Sequence, residues 1–286
     1  MAIQRFPEQR VAITGGATGL GLALAKQFLH EGWSVAIADI QDEKGQAEIE
    51  LLGLPESRLF FTKVDVTKEV QLKKWRDDIV KRWGGVDIII NNAGVATHGA
   101  IDEAPLSDWE WVLDINLMGV VRGCRVFTPL FKKQRSGHIV NIASMAGLIH
   151  APEMGSYNAA KAGVVALSET LEGELFSYGI GVSVVCPGFF QTDLGKTLRS
   201  PDPKAKDMVQ RLFETSKIDA DGVAKRVYSG INNKDFYVLP HMSYHLIWLL
   251  KRYMPAMYMR SLHVTGRKIL QKKRDWQASL ATLTQP

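Results

Sequence analysis

The feature that most constrains the fold is a regular alternation of short, apolar, β-branched runs with longer amphipathic stretches. Alternating strands and helices form a parallel sheet with helices on both faces. The short runs are apolar throughout, as expected for strands that are covered on both sides. We therefore predict an α/β fold with a doubly wound, mostly parallel sheet of seven strands. The predicted strands are Val11–Thr14, Ser34–Asp39, Leu59–Val64, Val86–Asn91, His138–Ile142, Gly181–Val185 and Phe236–Leu239.

The pattern after the sixth strand divides the chain further. Residues 189–222 are rich in Lys, Pro and Asp, which predicts an irregular helical lid. The sheet is complete near Pro240, so we expect a catalytic domain over 1–240 and a helical extension over 241–286. The predicted helices of the body include Gly21–Glu31, Val70–Trp83, Ser107–Phe131 and Tyr157–Tyr178, with Gly179 closing the last.

Composition limits the class of protein. Hydrophobic residues make up 46% of the chain, which favours a folded core over disorder. The two cysteines, Cys124 and Cys186, provide neither a disulfide framework nor metal-ligand spacing, so we predict reduced thiols, no metal and a cytoplasmic protein. The first ten residues lack the apolar core of a signal peptide, and no apolar run is long enough to span a membrane.

The net charge of +5 is concentrated at one end of the chain. From Pro240 onward there are eight Lys and Arg residues and one acidic residue, Asp275. The rest of the chain is therefore slightly acidic, which argues against nucleic acid as a partner.

A glycine-rich turn follows the first predicted strand and opens a helix. It reads Thr14-Gly-Gly-Ala-Thr-Gly-Leu-Gly21. Such a turn lets a pyrophosphate approach the N–H groups at a helix N-terminus. The position of the turn between strand and helix predicts a dinucleotide site.

Asp39 ends the second predicted strand, where its carboxylate can accept hydrogen bonds from both ribose hydroxyls. It would repel a 2′-phosphate, and Ala17, Thr18 and Ile40 offer no cation to neutralise one. Lys44 is the nearest cation. We therefore predict NAD(H) rather than NADP(H) as the cofactor.

A second constellation carries the chemistry. Tyr157 and Lys161 are four residues apart, so they share a helix face, and Ser144 follows the fifth predicted strand. Asn91-Asn-Ala-Gly94 ends the fourth strand, and Asn116 lies midway along the next helix. With the glycine turn, these elements in this order resemble the short-chain dehydrogenase/reductase family over roughly Arg10 to Pro240.

The resemblance implies a Rossmann fold, a homodimer or homotetramer, and transfer of hydride between an alcohol and NAD. It implies that Tyr157 exchanges the proton, Lys161 lowers the tyrosine pKa and binds the nicotinamide ribose, Ser144 stabilises the substrate oxygen, and Asn116 holds a water. The segment Pro187–Thr192 would hold the nicotinamide carboxamide, through the Phe190 backbone and Thr192. The implied cofactor residues are Gly15, Thr18, Gly19, Leu20, Gly21, Asp39, Ile40, Asp65, Val66, Asn92, Ala93, Gly94, Tyr157, Lys161, Pro187, Gly188, Phe190 and Thr192.

The residues that flank this catalytic set are mostly apolar, and several are adaptable methionines. They favour a lipophilic substrate such as a sterol, a retinoid or a fatty-chain compound. An alternative is that about half of them only pack the lid against the body. His150 is interpreted as a polar wall residue rather than a catalytic acid. The set comprises Met145, Leu148, His150, Met154, Phe189 and Phe190, with Leu194, Leu198, Met208, Leu212 and Phe213 in the lid.

The extension is apolar and aromatic first and basic later, and three overlapping interpretations remain open. It packs on its own or a partner subunit, it lies on an anionic membrane with Trp248, Tyr253 and Tyr258 at the interface, or it caps the substrate pocket. Lys251, Arg252 and Pro255 argue against a spanning helix.

Two other functions compete with an NAD-dependent dehydrogenase. A catalytically silent dinucleotide sensor needs the glycine turn and Asp39 but not the Ser144, Tyr157 and Lys161 set. A ketoreductase of small or acyl-carrier substrates shares that set. Such enzymes usually look NADPH-dependent and lack an extension of this kind, so Asp39 and residues 241–286 count against this alternative.

Overall fold

The computed structural model describes residues 5–283 apart from 206, 208, 210, 212–215 and 217, and gives side chains as far as residue 275 except at 193. Seven strands form one sheet in the order β3-β2-β1-β4-β5-β6-β7, and every neighbouring pair is parallel. The prediction of a seven-stranded α/β sheet is confirmed. The strands are β1 (Arg10–Thr14), β2 (Ser34–Asp39), β3 (Leu59–Lys63), β4 (Ile88–Asn91), β5 (Gly137–Ile142), β6 (Ile180–Val185) and β7 (Tyr237–Val238).

Nine described α-helices accompany the sheet. They are α1 (Gly19–His30), α2 (Asp42–Leu52), α3 (Glu69–Trp83), α4 (Leu106–Leu113), α5 (Gly119–Gln134), α6 (Gly155–Leu175), α7 (Ala220–Asn233), α8 (Met242–Tyr253) and α9 (Pro255–Leu283). Side chains of successive strand residues point to opposite faces. In β2, Ala36 belongs to the apolar core that includes residues of α3, α5 and α6, whereas Val35 and Ile37 belong to the core that includes residues of α1 and α7. Helices thus cover both faces, as the continuous apolar strands predict.

The long helix predicted over Ser107–Phe131 is interrupted. A π-helical turn, Asp114–Met118, separates α4 from α5, and Asn116 lies within it. A π turn closes i→i+5 hydrogen bonds, so a hydrophobic pattern read at a period of 3.6 does not reveal it. The helix predicted over Tyr157–Tyr178 is α6 followed by a 3₁₀ turn, and Gly179 ends it with φ of 71°.

The site region is fixed by the strand order. The chain proceeds from β1 outward to β2 and β3, and then returns to place β4 on the other side of β1. In open α/β sheets, the crevice outside the carboxyl ends of the strands at such a reversal is where ligands bind. The glycine turn after β1 and the Asn91–Gly94 segment at the end of β4 therefore meet at this crevice.

The predicted lid over 189–222 is only partly a separate segment. Asp193–Thr197 forms a 3₁₀ turn, but α7 begins at Ala220 and packs on α1, with the Phe28 and Tyr228 rings 5.1 Å apart. The last three residues of the predicted lid thus belong to the layered body. Met208, Leu212 and Phe213, predicted to contact substrate, lie outside the described residues.

The extension consists of α8 and α9, and both pack on the body of the same chain. The Trp248 ring lies 5.3 Å from that of Tyr237, and Tyr258 is only 5% exposed. The membrane interpretation of the extension places Tyr258 at the interface, but the Tyr258 side chain is buried against the body. Within the part of the chain that the structure describes, no helix has the length and hydropathy needed to cross a bilayer.

Candidate active site

The glycine turn is packed so tightly that side chains would not fit. Gly15 has φ of 64°, and a Cβ there would lie 2.7 Å from the Cα of Ala93. A Cβ on Gly21 would lie 2.0 Å from the carbonyl oxygen of Gly15. Gly21 therefore allows helix α1 to approach the turn, which matches the close-packing role of the last glycine in such motifs.

Hydrogen bonds from the end of β4 hold this turn in place. The Asn92 side chain donates from Nδ2 to the carbonyl oxygens of Thr14 and Gly15, both at 2.9 Å. In return, Thr14 Oγ1 accepts from the backbone N–H groups of Asn92 and Ala93, at 3.0 and 3.2 Å. The Asn92 side chain thus fixes the position of the turn, and Ala93 and Gly94 continue the chain along the crevice.

Asp39 lies at the carboxyl end of β2 and is buried. Its Oδ2 accepts from the Ala17 N–H and its Oδ1 from the Gln41 N–H, both at 3.0 Å. An ionised carboxylate offers about four acceptor sites, so these two bonds orient Asp39 and leave lone pairs on both oxygens. The carboxylate is thereby fixed beside the turn.

Ser144 follows β5 and caps a short 3₁₀ turn. Its Oγ accepts from the Ala146 N–H at 3.1 Å and donates to the Pro187 carbonyl at 3.4 Å. These contacts join the loop after β5 to the segment after β6. The Ser144 hydroxyl is consequently held between the two segments predicted to flank the reacting centre.

Tyr157 and Lys161 lie one turn apart on α6, 7% and 4% exposed. The Lys161 ammonium donates to the Ile142 carbonyl at 2.8 Å and lies 5.9 Å from the centre of the Tyr157 ring. Burial raises the pKa of Tyr157 to about 12, although a hydrogen bond with Ser144 lowers it in part. Burial also lowers the pKa of Lys161 to about 8. In this geometry the phenol is therefore protonated at neutral pH.

Asn116 is fully buried in the π-helical turn. Its Oδ1 accepts from the Val95 N–H and its Nδ2 donates to the Val95 carbonyl, both at 2.8 Å. A Cβ on Gly94 would lie 3.2 Å from Asn116 Oδ1 and 3.7 Å from Lys161 Nζ. Asn116 is thus close to Lys161 and shapes the loop after β4, while its predicted water-holding role remains a prediction.

One cavity of about 710 Å³ connects these groups. Ser144, Tyr157 and Lys161 line it, whereas Asn116 and Gly21 do not. The predicted cofactor residues that line it are Gly15, Thr18, Gly19, Leu20, Asp39, Ile40, Asp65, Val66, Asn92, Ala93, Gly94, Tyr157, Lys161, Pro187, Gly188, Phe190 and Thr192.

The predicted substrate residues fall into two groups. Those that line the cavity are Met145, His150, Met154, Phe189, Phe190, Leu194 and Leu198. Leu148 does not, and its prediction is wrong: the side chain is 6% exposed and belongs to the apolar core on the α6 side. The sequence pattern alone cannot assign Leu148 to the cavity or to the core, because the choice depends on the turn geometry of its loop.

Sequence reasoning missed several lining residues. Thr97, His98 and Ile149 come from loops whose course the strand and helix pattern does not specify, and Ile115 comes from the π-helical turn. The extension contributes more, so the interpretation that it caps the pocket agrees with the structure. Its lining residues are Tyr244, Ile247, Tyr258, Ser261, Leu262 and Thr265.

Comparison with known proteins places this arrangement in a family. The sequence model of the short chain dehydrogenase family matches residues 9–203. A crystal structure of a short chain dehydrogenase/reductase from Burkholderia phymatum, in complex with NAD, superposes with a TM-score of 0.83 at 30% identity. That superposition covers 89% of this chain and 96% of the other.

Two curated relatives are similar over most of their length. The CLA biosynthesis dehydrogenase/reductase of Lactiplantibacillus plantarum is 30% identical over 84% of this chain and 90% of its own. The 3-oxoacyl-[acyl-carrier-protein] reductase FabG of Staphylococcus epidermidis is 35% identical over 79% and 92%. With the matched sequence model, these similarities show that the chain belongs to the short-chain dehydrogenase/reductase family of oxidoreductases.

Proposed function

We propose that the protein is an NAD(H)-dependent oxidoreductase that interconverts an alcohol and a carbonyl on a lipophilic substrate. The observation that carries this proposal is the convergence of Ser144, Tyr157 and Lys161 on one cavity that continues to the glycine turn. A dinucleotide and a second small molecule can therefore meet at the side chains that exchange a proton.

The residues present fit an NAD cofactor. The absence of side chains at Gly15 and Gly21 leaves the turn open to a pyrophosphate, and Asp39 retains acceptor lone pairs for ribose hydroxyls. Asp65 and Val66 would hold the adenine, and Gly188 and Thr192 the nicotinamide end. When bound, NAD⁺ supplies the acceptor for the hydride that leaves the alcohol carbon.

The proton steps belong to the chain itself. In alcohol oxidation the hydroxyl proton passes to the Tyr157 phenolate while the hydride leaves the same carbon; in reduction the Tyr157 phenol returns the proton. Lowering the phenol pKa from about 12 to 7 requires about 7 kcal/mol of differential stabilisation. Lowering it to 7 from the ordinary tyrosine value near 10 would require about 4 kcal/mol. The Lys161 ammonium, turned from Ile142 toward the phenol, is the group that supplies part of this. Oxidation should consequently accelerate as the pH rises above neutrality.

The proposed substrate is lipophilic because the chamber beyond Ser144 is walled mainly by apolar side chains. Met145, Met154, Phe189, Leu194 and Leu198 all contribute to it. Apolar walls with a few oriented polar groups are typical of small-molecule sites.

The test is a screen with purified full-length protein. Secondary alcohols, sterols, retinol and fatty alcohols are offered with NAD⁺ and, separately, with NADP⁺, and NAD(P)H formation is followed at 340 nm. We expect turnover of lipophilic alcohols with NAD⁺ preferred. Turnover of small polyols alone would overturn the substrate proposal, and a preference for NADP⁺ the cofactor proposal.

A matched pair of variants tests the cofactor proposal independently of the substrate. Asp39→Asn should weaken NADH binding about 10-fold or more, since a hydrogen bond to a charged group contributes about 1.5–3 kcal/mol. Asp42→Asn, at a half-exposed carboxylate three residues along the chain that pairs with Lys63, should leave it unchanged. Equal affinities for both variants would show that Asp39 does not bind the ribose.

A ketoreductase acting on acyl-carrier substrates is the second candidate, favoured by the similarity to the S. epidermidis FabG protein. It would be revealed if the rate of 3-oxoacyl thioester reduction with NADPH exceeded every NAD-dependent rate.

The predicted homodimer or homotetramer is checked separately by size-exclusion chromatography with light scattering on the eluting protein.

We also propose that the outer surface of the extension contacts anionic membranes. Exposed basic residues accompany the exposed apolar ones, and such a surface suits a bilayer with negative headgroups. The exposed apolar residues are Met242, Leu246, Tyr253, Met254 and Met257, and the exposed basic ones include Arg252, Arg260, Arg267 and Lys268.

Because the extension also lines the cavity, charge reversal tests this better than deletion. Arg260→Glu, Arg267→Glu and Lys268→Glu together should weaken co-sedimentation with phosphatidylserine vesicles at least 10-fold. Lys74→Glu, Lys133→Glu and Lys225→Glu provide the same charge change on the body and should have a smaller effect. Equal loss for both triple variants would overturn a membrane role for the extension.

A further inference from the structure

The extension is fastened to the segments that surround the substrate chamber at three places. At the first, the Gly188 N–H donates to His241 Nδ1 at 3.1 Å, and the Tyr244 ring packs so closely on Gly188 that a Cβ there would lie 2.2 Å from Tyr244 Cε2. Gly188 follows β6, and Ser144 bonds to the residue before it. The start of α8 therefore braces the segment beside the reacting centre.

The second fastening holds the loop that follows Ser144. Lys251 Nζ donates to the Leu148 carbonyl at 2.6 Å and to His150 Nε2 at 3.0 Å. The His150 N–H donates to the Tyr258 hydroxyl at 2.8 Å. Backbone groups of the catalytic loop thus find their partners in the end of α8 and the start of α9.

The third fastening lies four turns further along α9. Lys273 Nζ bonds to Glu153 Oε1 at 2.6 Å and to both oxygens of Glu103 at 3.0 Å. Fifteen residues of α-helix between Tyr258 and Lys273 span about 22 Å. Helix α9 is therefore held at two points, and the stretch between them includes residues that line the cavity.

One face of α9 between these anchors is less exposed than the rest of the helix. Tyr258, Leu262, Gly266, Ile269 and Lys273 are the less exposed positions, at the three- and four-residue spacing of one helix face. Ser261, Leu262 and Thr265 line the cavity itself.

The chemistry of this wall is less polar than its sequence implies. Ser261 Oγ donates to the Tyr258 carbonyl at 2.7 Å, and Thr265 Oγ1 donates to the Ser261 carbonyl at 2.9 Å. Both hydroxyl protons are therefore used within the helix, and neither is directed to a ligand. Such a wall suits an alkyl end rather than a carboxylate or phosphate, which would require donors.

We propose that Leu262, with Ser261 and Thr265 beside it, forms the distal wall of the substrate chamber and sets the longest alkyl chain that the site accepts. This inference rests on the proposed function, since it concerns the substrate of that site. It makes the extension a specificity-determining part of the active site rather than an appendage.

The experiment compares chain-length profiles. For wild type, Leu262→Ala and Leu262→Trp, kcat/KM is measured with NAD⁺ over secondary alcohols from 2-butanol to 2-dodecanol. Leu262→Trp should reduce kcat/KM at least 10-fold for the longest alcohols and less than twofold for the shortest, and Leu262→Ala should move the optimum to longer chains. Val264→Trp, at an exposed position on the same helix, is the matched control and should leave the profile unchanged.

Unchanged profiles in both Leu262 variants, or equal changes in Val264→Trp, would overturn the inference. If no alcohol is oxidised, the proposed function fails, and the wall is tested by binding alone. Fluorescence titration with N-phenyl-1-naphthylamine should then give a Kd at least fivefold higher for Leu262→Trp than for Val264→Trp. Equal Kd values would overturn the inference independently of catalysis, and circular dichroism spectra establish that each variant is folded.

Discussion

The two halves of the cavity are built in opposite ways. At the dinucleotide end, the shape comes from backbone: two glycines without space for a Cβ, and an Asn92 side chain that bonds to two main-chain carbonyls. At the substrate end, the shape comes from side chains on the loop after β5 and on α8 and α9, segments about 100 residues apart in the chain.

This difference determines how each half tolerates change. A backbone-built site leaves little room for variation, because any added atom displaces the turn itself. A wall made of side chains from distant segments can change in size and polarity while the strands stay in place. The chemistry is thus fixed at one end and the choice of substrate is adjustable at the other.

The largest expected effect is at the junction of the two halves. Tyr157→Phe removes the proposed proton carrier but keeps the ring, and proton transfer by a positioned side chain contributes about 10²–10⁴-fold. We expect kcat/KM to fall about 10³-fold, measured by NADH formation with the best alcohol of the screen. NADH affinity, measured by fluorescence titration, should change less than threefold.

The control for this variant is Tyr178→Phe, which removes a phenol hydroxyl from the half-exposed Tyr178 near the end of the same helical segment. It should leave both quantities unchanged. Full turnover in Tyr157→Phe would remove Tyr157 from the chemistry. An inactive wild type that still binds NADH would instead favour a dinucleotide sensor.

The next effect tests the backbone-built end. In Gly21→Ala the new Cβ would lie 2.0 Å from the Gly15 carbonyl oxygen, so helix α1 or the turn must move. Overpacking of this kind costs about 1–3 kcal/mol, and we expect NADH affinity to fall at least 10-fold. Gly173→Ala, on α6 with nothing within 4 Å of the new Cβ, is the matched control. Unchanged NADH affinity in Gly21→Ala would show that the turn is adaptable after all.

A smaller effect concerns the pH dependence of stability, at the amino ends of the strands, opposite the site. His138 lies near the amino end of β5, between Arg5 Nη2 at 2.7 Å and Ser183 Oγ at 2.9 Å. Burial, with a smaller effect from the Arg5 charge, lowers its pKa to about 3. Between pH 6.5 and 3 the unfolded chain binds a proton that the folded chain does not, so stability falls as the pH falls through this window.

From pH 7.5 to 5.5 the His138 contribution to the free energy of unfolding should fall by about 1.4 kcal/mol. Urea unfolding at both values checks this, with His138→Gln as the comparison because it cannot titrate. A difference between the two proteins that does not change with pH would contradict the assignment. The result would separate the pH dependence of stability, caused by His138, from the pH dependence of catalysis at the carboxyl ends of the strands.

Sequence reasoning agreed with the structure where the position of a residue depends on local spacing. The glycine turn, Asp39 and the Tyr157–Lys161 pair lie within single strand–turn–helix units, so their positions along the chain determine their positions in space. It failed for Leu148, whose burial depends on the turn geometry of its loop, and it did not foresee the burial of Tyr258, which depends on how two distant segments meet. The π turn at Asn116 was also missed, since the apolar pattern continues through it.

The smallest expected effect comes from the side-chain-built end, where a glycine has no packing role. Gly266 lies in the middle of α9 between the Tyr258 and Lys273 anchors, and a Cβ there would meet nothing within 4 Å. Alanine is favoured over glycine in a helix interior by about 0.8–1 kcal/mol. We expect Gly266→Ala to raise the free energy of unfolding by up to about 1 kcal/mol in urea titrations, with no loss of NADH affinity. A loss of stability would mean that α9 needs the glycine to bend across the chamber. A gain would show that exchange of glycine for alanine is favourable at Gly266 and harmful at Gly21, because only Gly21 is enclosed by backbone.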